Sequence, residues 1–284
     1  LTNSWNGFAF ARPGKRLVVV DRLCVHDPAL EPYKSVAQKV FHNHLVRRFV
    51  TASATRADAV VAVSEYTADL YPKVLGLPRP TVILNAVDTD FFRPPDGGRS
   101  VPEGPGARLL FVGNLTARKG EDMLAPIMRK LGLEYELYFT AGLRGKNMSG
   151  TLPNMHPLGQ LDQQQMVRQY QMANLLLFPS RGEGLARAVM EALACGTPVV
   201  AADVSSLPEA VDDAVGRLCP VDEVEVFAAT VRQLVKDPAQ YARLVGNARK
   251  RAEERFSLAR MIGEYLDLFL TLVKCAPGEG VAGI

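Results

Sequence analysis

At 284 residues, 48% hydrophobic and 22% charged, the chain has the size of one large or two medium domains and enough apolar content to bury a core. A net charge of +3 excludes the strongly basic surface that nucleic-acid binding needs, and the four histidines and four cysteines follow no metal-ligand spacing. No apolar run is long enough to span a bilayer, and Cys24, Cys195, Cys219 and Cys275 read as buried thiols of a reducing compartment, the cytoplasm.

Arg16 to Val20 and Ala59 to Val63 read as short buried strands. Glu31 to Thr55 between them has no glycine and spaces Val36, Val40, Leu45 and Phe49 helically, which predicts one long core helix. Its Lys34, Lys39, Arg47 and Arg48 read first as a solvated face, and second as a contact for the inner face of an anionic membrane. Pro94 to Gly106 is dense in Pro and Gly and reads as a linker. Beyond it, strands at Leu109 to Val112, Tyr135 to Thr140, Leu175 to Phe178, Val199 to Ala201 and Gly216 to Cys219 alternate with helices. The helices are at Asp122 to Leu131, Gln163 to Met172 (capped by Asp162), around Glu191, and at Glu223 to Lys236, Ala239 to Glu254 and Leu258 to Val273. A loop at Gly142 to Pro153 is rich in Gly, Asn and Ser. Alternation of this kind implies a doubly wound parallel sheet with ligands at the carboxyl ends of its strands. The expected division is residues 1–94, a linker at 95–106, a second domain at 107–252, and a terminal helix at 253–275 packing back on the first part.

The most informative stretch is Arg181-Gly182-Glu183-Gly184-Leu185-Ala186-Arg187-Ala188-Val189-Met190-Glu191-Ala192. Its two glutamates stand eight positions apart, the first in a glycine turn after an apolar strand, the second inside the helix that the turn opens. A strand, a glycine turn and a helix N-terminus form an anion pocket, because the first N–H groups of a helix have no intrahelical partner. A carboxylate there repels a phosphate, so Glu183 suits a hydroxyl-rich group joined to one. The bland alternative is a helix-start acid and a solvated helix glutamate.

With Pro179-Ser180 before it and Ala194-Cys195-Gly196-Thr197-Pro198-Val199-Val200 after it, this stretch resembles glycosyltransferase family 4 of the GT-B fold. Val60 to Glu65, Val82-Ile83-Leu84-Asn85-Ala86-Val87-Asp88 to Pro94, and Leu110-Phe111-Val112-Gly113-Asn114 to Lys119-Gly120 carry the same resemblance, from near Arg16 to near Phe269. It implies two Rossmann-like α/β domains, the N-terminal one incomplete because its opening strands and their glycine-rich loop have no counterpart. It also implies transfer of a sugar from a nucleotide-diphosphate donor to a hydroxyl acceptor (a glycan, a polysaccharide or a lipid-linked group), with retention and no cofactor or metal.

By the same resemblance Glu191 accepts from the ribose hydroxyls and Glu183 contacts the transferred sugar. Lys119 and the N–H groups of Leu185, Ala186 and Arg187, beside Gly113 and Gly184, hold the diphosphate. The family places an arginine where Asn114 stands, and Arg118 or Arg187 is the candidate replacement. Gly159 and Gln160 are candidates for the base pocket. Asp21 and His26 are the candidate acceptor-side groups, with Asp21 at a position where the family carries histidine. A non-catalytic nucleotide-sugar-binding fragment is the alternative, and a sugar phosphorylase ranks last because no lysine suited to a pyridoxal cofactor is identifiable.

Overall fold

Runs of β-branched and large apolar residues set the strands. The computed structural model describes residues 1–99, 102, 106–141 and 150–274, and the chain divides into two units. The first comprises Leu1–Asn85 and the chain from Ala259 onward, the second Ala86–Leu258.

In the first unit β1 (Thr2–Asn3), β2 (Val18–Asp21), β3 (Ala59–Ala62) and β4 (Thr81–Val82) pair in parallel in chain order. Val18, Val19 and Val20 are all buried, as a strand covered on both faces requires. The long helix expected between β2 and β3 is broken into pieces. A 3-10 turn at Pro28–Tyr33 is followed by α1 (Val36–Phe41), a π-helical turn at His42–Val46 and α2 (Arg47–Arg56). Pro32 interrupts the first piece, and Ser35 then opens a new helix through a reciprocal cap with Gln38.

The π turn adds a residue to the helical repeat and rotates the inward face of α2 away from the register set by α1. The residues that reach the core are therefore Val46, Val50 and Ser53, whereas Val36, Val40 and Leu45 are 77%, 55% and 44% exposed. Three of the four residues of the expected stripe therefore face outward, while Phe49 is half-buried and stacks on Phe8, and α1 buries none of its residues. Val46 and Val50 pack with Cys24, Leu70, Tyr71 and Leu75, the last three supplied by α3 (Glu65–Leu70) and the π turn that follows it.

In the second unit β5 (Arg108–Phe111), β6 (Glu136–Phe139), β7 (Met155–Pro157), β8 (Leu175–Phe178), β9 (Val199–Ala202) and β10 (Gly216–Cys219) form one parallel sheet, in the order β10-β9-β8-β5-β6-β7. The chain steps one way from β5 and the other way from β8. These two strands are hydrogen-bonded neighbours at the reversal, with Leu109 opposite Leu175 and Leu110 opposite Leu176.

Because right-handed crossovers in opposite directions place their helices on opposite faces, α4 (Glu121–Leu131) lies on one face of this sheet. The other face takes α5 (Gln163–Met172) and α6 (Arg187–Ala194). A short α7 (Leu207–Ala210) follows β9. Of the last helices, α8 (Val224–Lys236) packs on α4 and α9 (Pro238–Arg255) packs on α6, while α10 (Leu258–Lys274) groups almost wholly with the first unit. α5 starts at a reciprocal cap between Asp162 and Gln165. Cys24, Cys195 and Cys219 are buried free thiols, and burial pushes Cys24 and Cys195 up to about 12. Cys275, five linker positions and residues 142–149 of the expected Gly-Asn-Ser loop lie outside the described residues.

Gly120 joins the two loops at the reversal. It has a φ of 73°, and a Cβ built on it would lie 2.1 Å from the Pro179 carbonyl oxygen, whereas Gly159, with a φ of 67°, has nothing within 4 Å. Both alanine substitutions incur left-handed strain, but only Gly120→Ala adds a backbone clash. Gly120→Ala should therefore cost about 1–3 kcal/mol more in urea unfolding than Gly159→Ala. Equal losses would show that the close approach at Pro179 is not a constraint.

Candidate functional site

The residues expected to hold the diphosphate, sugar and ribose come from the loop after β5, the loop after β8, or the helix that the second loop opens. Gly113 follows β5 directly. Its N–H donates to Thr140 Oγ1 at 3.0 Å, which fixes the start of the loop against the end of β6. Asn114 is exposed. The chain then makes a 3-10 turn at Ala117–Lys119 and enters α4 through Gly120.

Lys119 Nζ donates to Glu183 Oε1, so the two residues lie in direct contact across the reversal. Ser180 Oγ donates to the same oxygen at 2.6 Å, and Arg118 Nη1 lies 3.7 Å from it while donating to the Gly182 carbonyl. Glu183 is 8% exposed and its main chain is held at both ends: its N–H donates to Ser205 Oγ at 2.9 Å and its carbonyl accepts from Ser206 Oγ at 3.1 Å. A buried carboxylate is tolerated here because it is paired and hydrogen-bonded.

Gly184, Leu185 and Ala186 are buried, Ala186 is the cap of α6, and Arg187 opens the helix. The N–H groups of Arg187 and Ala188 have no intrahelical acceptor at that position. The Arg187 side chain is 69% exposed and donates to Glu191 Oε1 at 3.1 Å. Burial raises the Glu191 carboxyl above its ordinary value, opposed by hydrogen bonds from Tyr170 and Arg187. Gly159 sits after β7 in the left-handed region, beside an exposed Gln160.

The candidates in the first unit are placed differently. Asp21 ends β2 and is 2% exposed, and its carboxylate accepts from Tyr71 Oη at 2.7 Å and the Leu23 N–H at 3.0 Å. Burial holds it above the usual carboxylate range in spite of those bonds. His26 is 6% exposed with Nε2 2.9 Å from the His42 carbonyl, and burial lowers its pKa. Both carboxylate oxygens of Asp21 and the Nε2 of His26 are thus engaged inside the protein.

Sequence reasoning missed Arg181. Its guanidinium is 7% exposed and meets Asp122 through two 2.7 Å bonds and Asp222 through one of 2.6 Å, while Nη1 also donates to the Ala117 carbonyl. It ties the loop after β8 to the turn carrying Lys119 and to the loop after β10. Ser205 and Asp222, with φ of 51° and 66°, are the two non-glycine residues at positive φ among the described residues, and each holds the 181–183 segment. Strain of this kind persists where surrounding structure over-determines the backbone. No local signal marks these contacts, because the partners lie 22 to 64 positions apart.

Among the described residues no group of three His, Cys, Asp or Glu side chains could hold a metal ion, and no helix is long and apolar enough to cross a membrane.

Arg181→Ala should lower the unfolding free energy by about 1–3 kcal/mol, since its carboxylate partners are half exposed and can rehydrate. The Arg181 bonds depress the Asp122 carboxyl below its ordinary 3.8. A depressed carboxyl contributes stability that is full above its unfolded value and is lost as pH falls through the folded one. The gap between wild type and variant should narrow below that range in urea titrations; a gap that stays constant down to strong acid would remove the ion pair as its cause.

The model of the family described as glycosyl transferases group 1 matches residues 99–251, and that of Glycosyltransferase Family 4 matches residues 2–91. A D-inositol 3-phosphate glycosyltransferase from Xylanimonas cellulosilytica is 28% identical over 252 residues, which cover 78% of this chain and 59% of that protein. An alpha-maltose-1-phosphate synthase from Mycolicibacterium smegmatis is 30% identical over 273 residues, 84% of this chain and 70% of its own length. Two further D-inositol 3-phosphate glycosyltransferases are matched over 25% and 43% of their lengths, so the chain spans only part of such relatives. Among solved structures, sucrose-phosphate synthase from Thermosynechococcus elongatus superposes with a TM-score of 0.81 at 20% identity, over 96% of this chain and 73% of that one. Anabaena HepE in complex with UDP and glucose gives 0.72 at 18% identity, over 90% and 72%. These superpositions identify the two parallel Rossmann-like units as a GT-B architecture. With more than half of its length matched by one family model, the chain belongs to the glycosyl transferases group 1 family and is related to the sugar transferases of glycosyltransferase family 4.

Proposed function

We propose that the chain belongs to an enzyme that moves a sugar from a nucleotide-diphosphate donor to a hydroxyl acceptor, with retention at the sugar carbon. The observation that carries this reading is the meeting of Lys119, Arg118 and Glu183 at the carboxyl ends of β5 and β8, with the N-terminus of α6 beside them and Glu191 farther along that helix. Ligands of doubly wound sheets bind at this reversal. Two cations and unpaired N–H groups suit a diphosphate, and a buried carboxylate suits hydroxyls. A relative bound to UDP and glucose supports a nucleotide sugar as the donor.

In this reading the nucleoside end lies at Glu191, whose two oxygens accept from the ribose diol. The diphosphate lies over the start of α6, and Lys119 leaves Glu183 for the phosphate oxygens. Glu183 is then free to accept from the sugar. As the bond from sugar carbon to diphosphate breaks, negative charge grows on the leaving group and is stabilised by groups already oriented toward it. Arg118 supplies the second cation that Asn114 lacks, since its guanidinium already lies 3.7 Å from Glu183. The alternative is a fragment that binds the donor without transferring from it. It is favoured by Asn114, which carries no charge for the diphosphate.

Calorimetry with UDP, ADP and GDP tests the assignment. Glu191→Ala should weaken the preferred nucleotide by about 1.5–3 kcal/mol with or without its phosphates. Lys119→Ala should weaken the nucleoside diphosphate by a similar amount and leave the free nucleoside unchanged. Wild-type affinity in the first variant removes Glu191 from the site, and equal weakening of both ligands in the second places Lys119 in folding. For transfer, Glu183→Gln in the full-length enzyme should keep nucleotide affinity and reduce turnover roughly a hundredfold. Unchanged turnover at saturating donor would leave Glu183 as a helix-start acid.

A further inference from the structure

Glu191 does not present two equivalent oxygens. Oε2 accepts from Tyr170 Oη at 2.8 Å, while Oε1 faces Arg187 Nη2 at 3.1 Å. The two partners differ in how firmly they are held. Tyr170 has no exposed surface, whereas the Arg187 side chain is 69% exposed.

Tyr170 is fixed from several directions. Its ring stands edge-on to Phe92, with centroids 6.2 Å apart. Its carbonyl accepts from Thr197 Oγ1 at 2.7 Å and from Arg99 Nη1 at 3.0 Å. Arg99 also donates to the Gln171 and Cys195 carbonyls at 3.1 and 3.3 Å, joining the C-terminal ends of α5 and α6. The phenol is thus an immobile donor aimed at one carboxylate oxygen, and the arginine is a solvated partner on the other.

We propose that Tyr170 is the positioning residue that makes Glu191 a selective acceptor for the vicinal diol of a ribose. This rests on the assignment of Glu191 to the nucleoside. An ionised carboxylate has about four lone-pair sites. Tyr170 occupies one permanently and sets the plane of the group. Arg187 occupies another and can swing into solvent when the donor arrives. The sites left free point in fixed directions and can be filled only by hydrogen-bond donors. A nucleotide lacking one ribose hydroxyl leaves a buried acceptor unpaired, which is how a polar site rejects an analogue that merely lacks a group. Without the phenol hydroxyl the carboxylate can turn about its last bond toward Arg187, and the selection weakens while the pocket keeps its shape.

The test compares UDP, ADP and GDP, and the 2′-deoxy form of whichever binds most tightly, by calorimetry on wild type, Tyr170→Phe and Glu191→Gln. Phenylalanine keeps the ring and its contact with Phe92, and thermal unfolding checks that each variant is folded. Tyr170→Phe should lose about tenfold in affinity for the ribonucleotide and much less for the 2′-deoxy form, so that the ratio between the two shrinks. Glu191→Gln should shrink that ratio as well. If Glu191→Gln shrinks it and Tyr170→Phe does not, or if Tyr170→Phe weakens both nucleotides equally, Tyr170 only packs the core and the proposal fails. If neither variant changes the ratio, the nucleoside does not lie at Glu191, and both the assignment and this inference fall.

Discussion

A parallel sheet that is wound in both directions must reverse somewhere, and in the second unit it reverses between β5 and β8. The two connections leaving those strands run to opposite faces, so the carboxyl ends there are uncovered by any crossover. All of the candidate donor chemistry follows from that constraint. Lys119 and Arg118 arrive on one connection and Glu183 on the other, 64 positions apart in the chain and in contact in space. Gly120 allows the approach, because a side chain there would meet the Pro179 carbonyl.

The loop after β8 is held in place by groups other than its own neighbours. Ser205 and Ser206 grip the main chain of Glu183, and Arg181 anchors the loop to Asp122 and Asp222. Two of these holders, Ser205 and Asp222, sit at positive φ without being glycine. Favourable contacts in the folded protein offset the local strain and keep the candidate site in one arrangement before any ligand arrives. The same loop runs into α6, so Glu183 and Glu191 lie on one continuous loop-helix segment. α5, through Tyr170, supplies the side-to-side brace.

The first unit uses its buried polar groups differently. Asp21 stands at the carboxyl end of β2, where a ligand group is often found, yet its carboxylate is consumed by Tyr71 and Leu23. His26 likewise turns its Nε2 to the His42 carbonyl. The π turn at His42–Val46, which positions that carbonyl, also separates the register of α1 from that of α2. The same turn thus carries the acceptor for His26 and leads into α2, whose Val50 and Ser53 are buried.

The sequence by itself determined what depends on short-range physics. Leu175 to Phe178 is apolar throughout and is a fully buried strand, Asp162 caps α5 in the manner its position suggested, and the glycine turn before Arg187 leads into a helix carrying Glu191. Strand and helix alternation fixed a parallel α/β class, because neighbouring parallel strands need a crossover between them. Only the tertiary structure decided the rest. The two-residue strands β1 and β4 exist because a neighbouring strand pairs with them, and two residues carry no periodicity. The break between α1 and α2 comes from a π turn that does not announce itself in composition. Arg181 and Tyr170 look like ordinary helix and loop residues until partners from distant segments surround them. A buried guanidinium or phenol is tolerated only where such partners satisfy it, and which partners they are is settled when the strands take their order in the sheet.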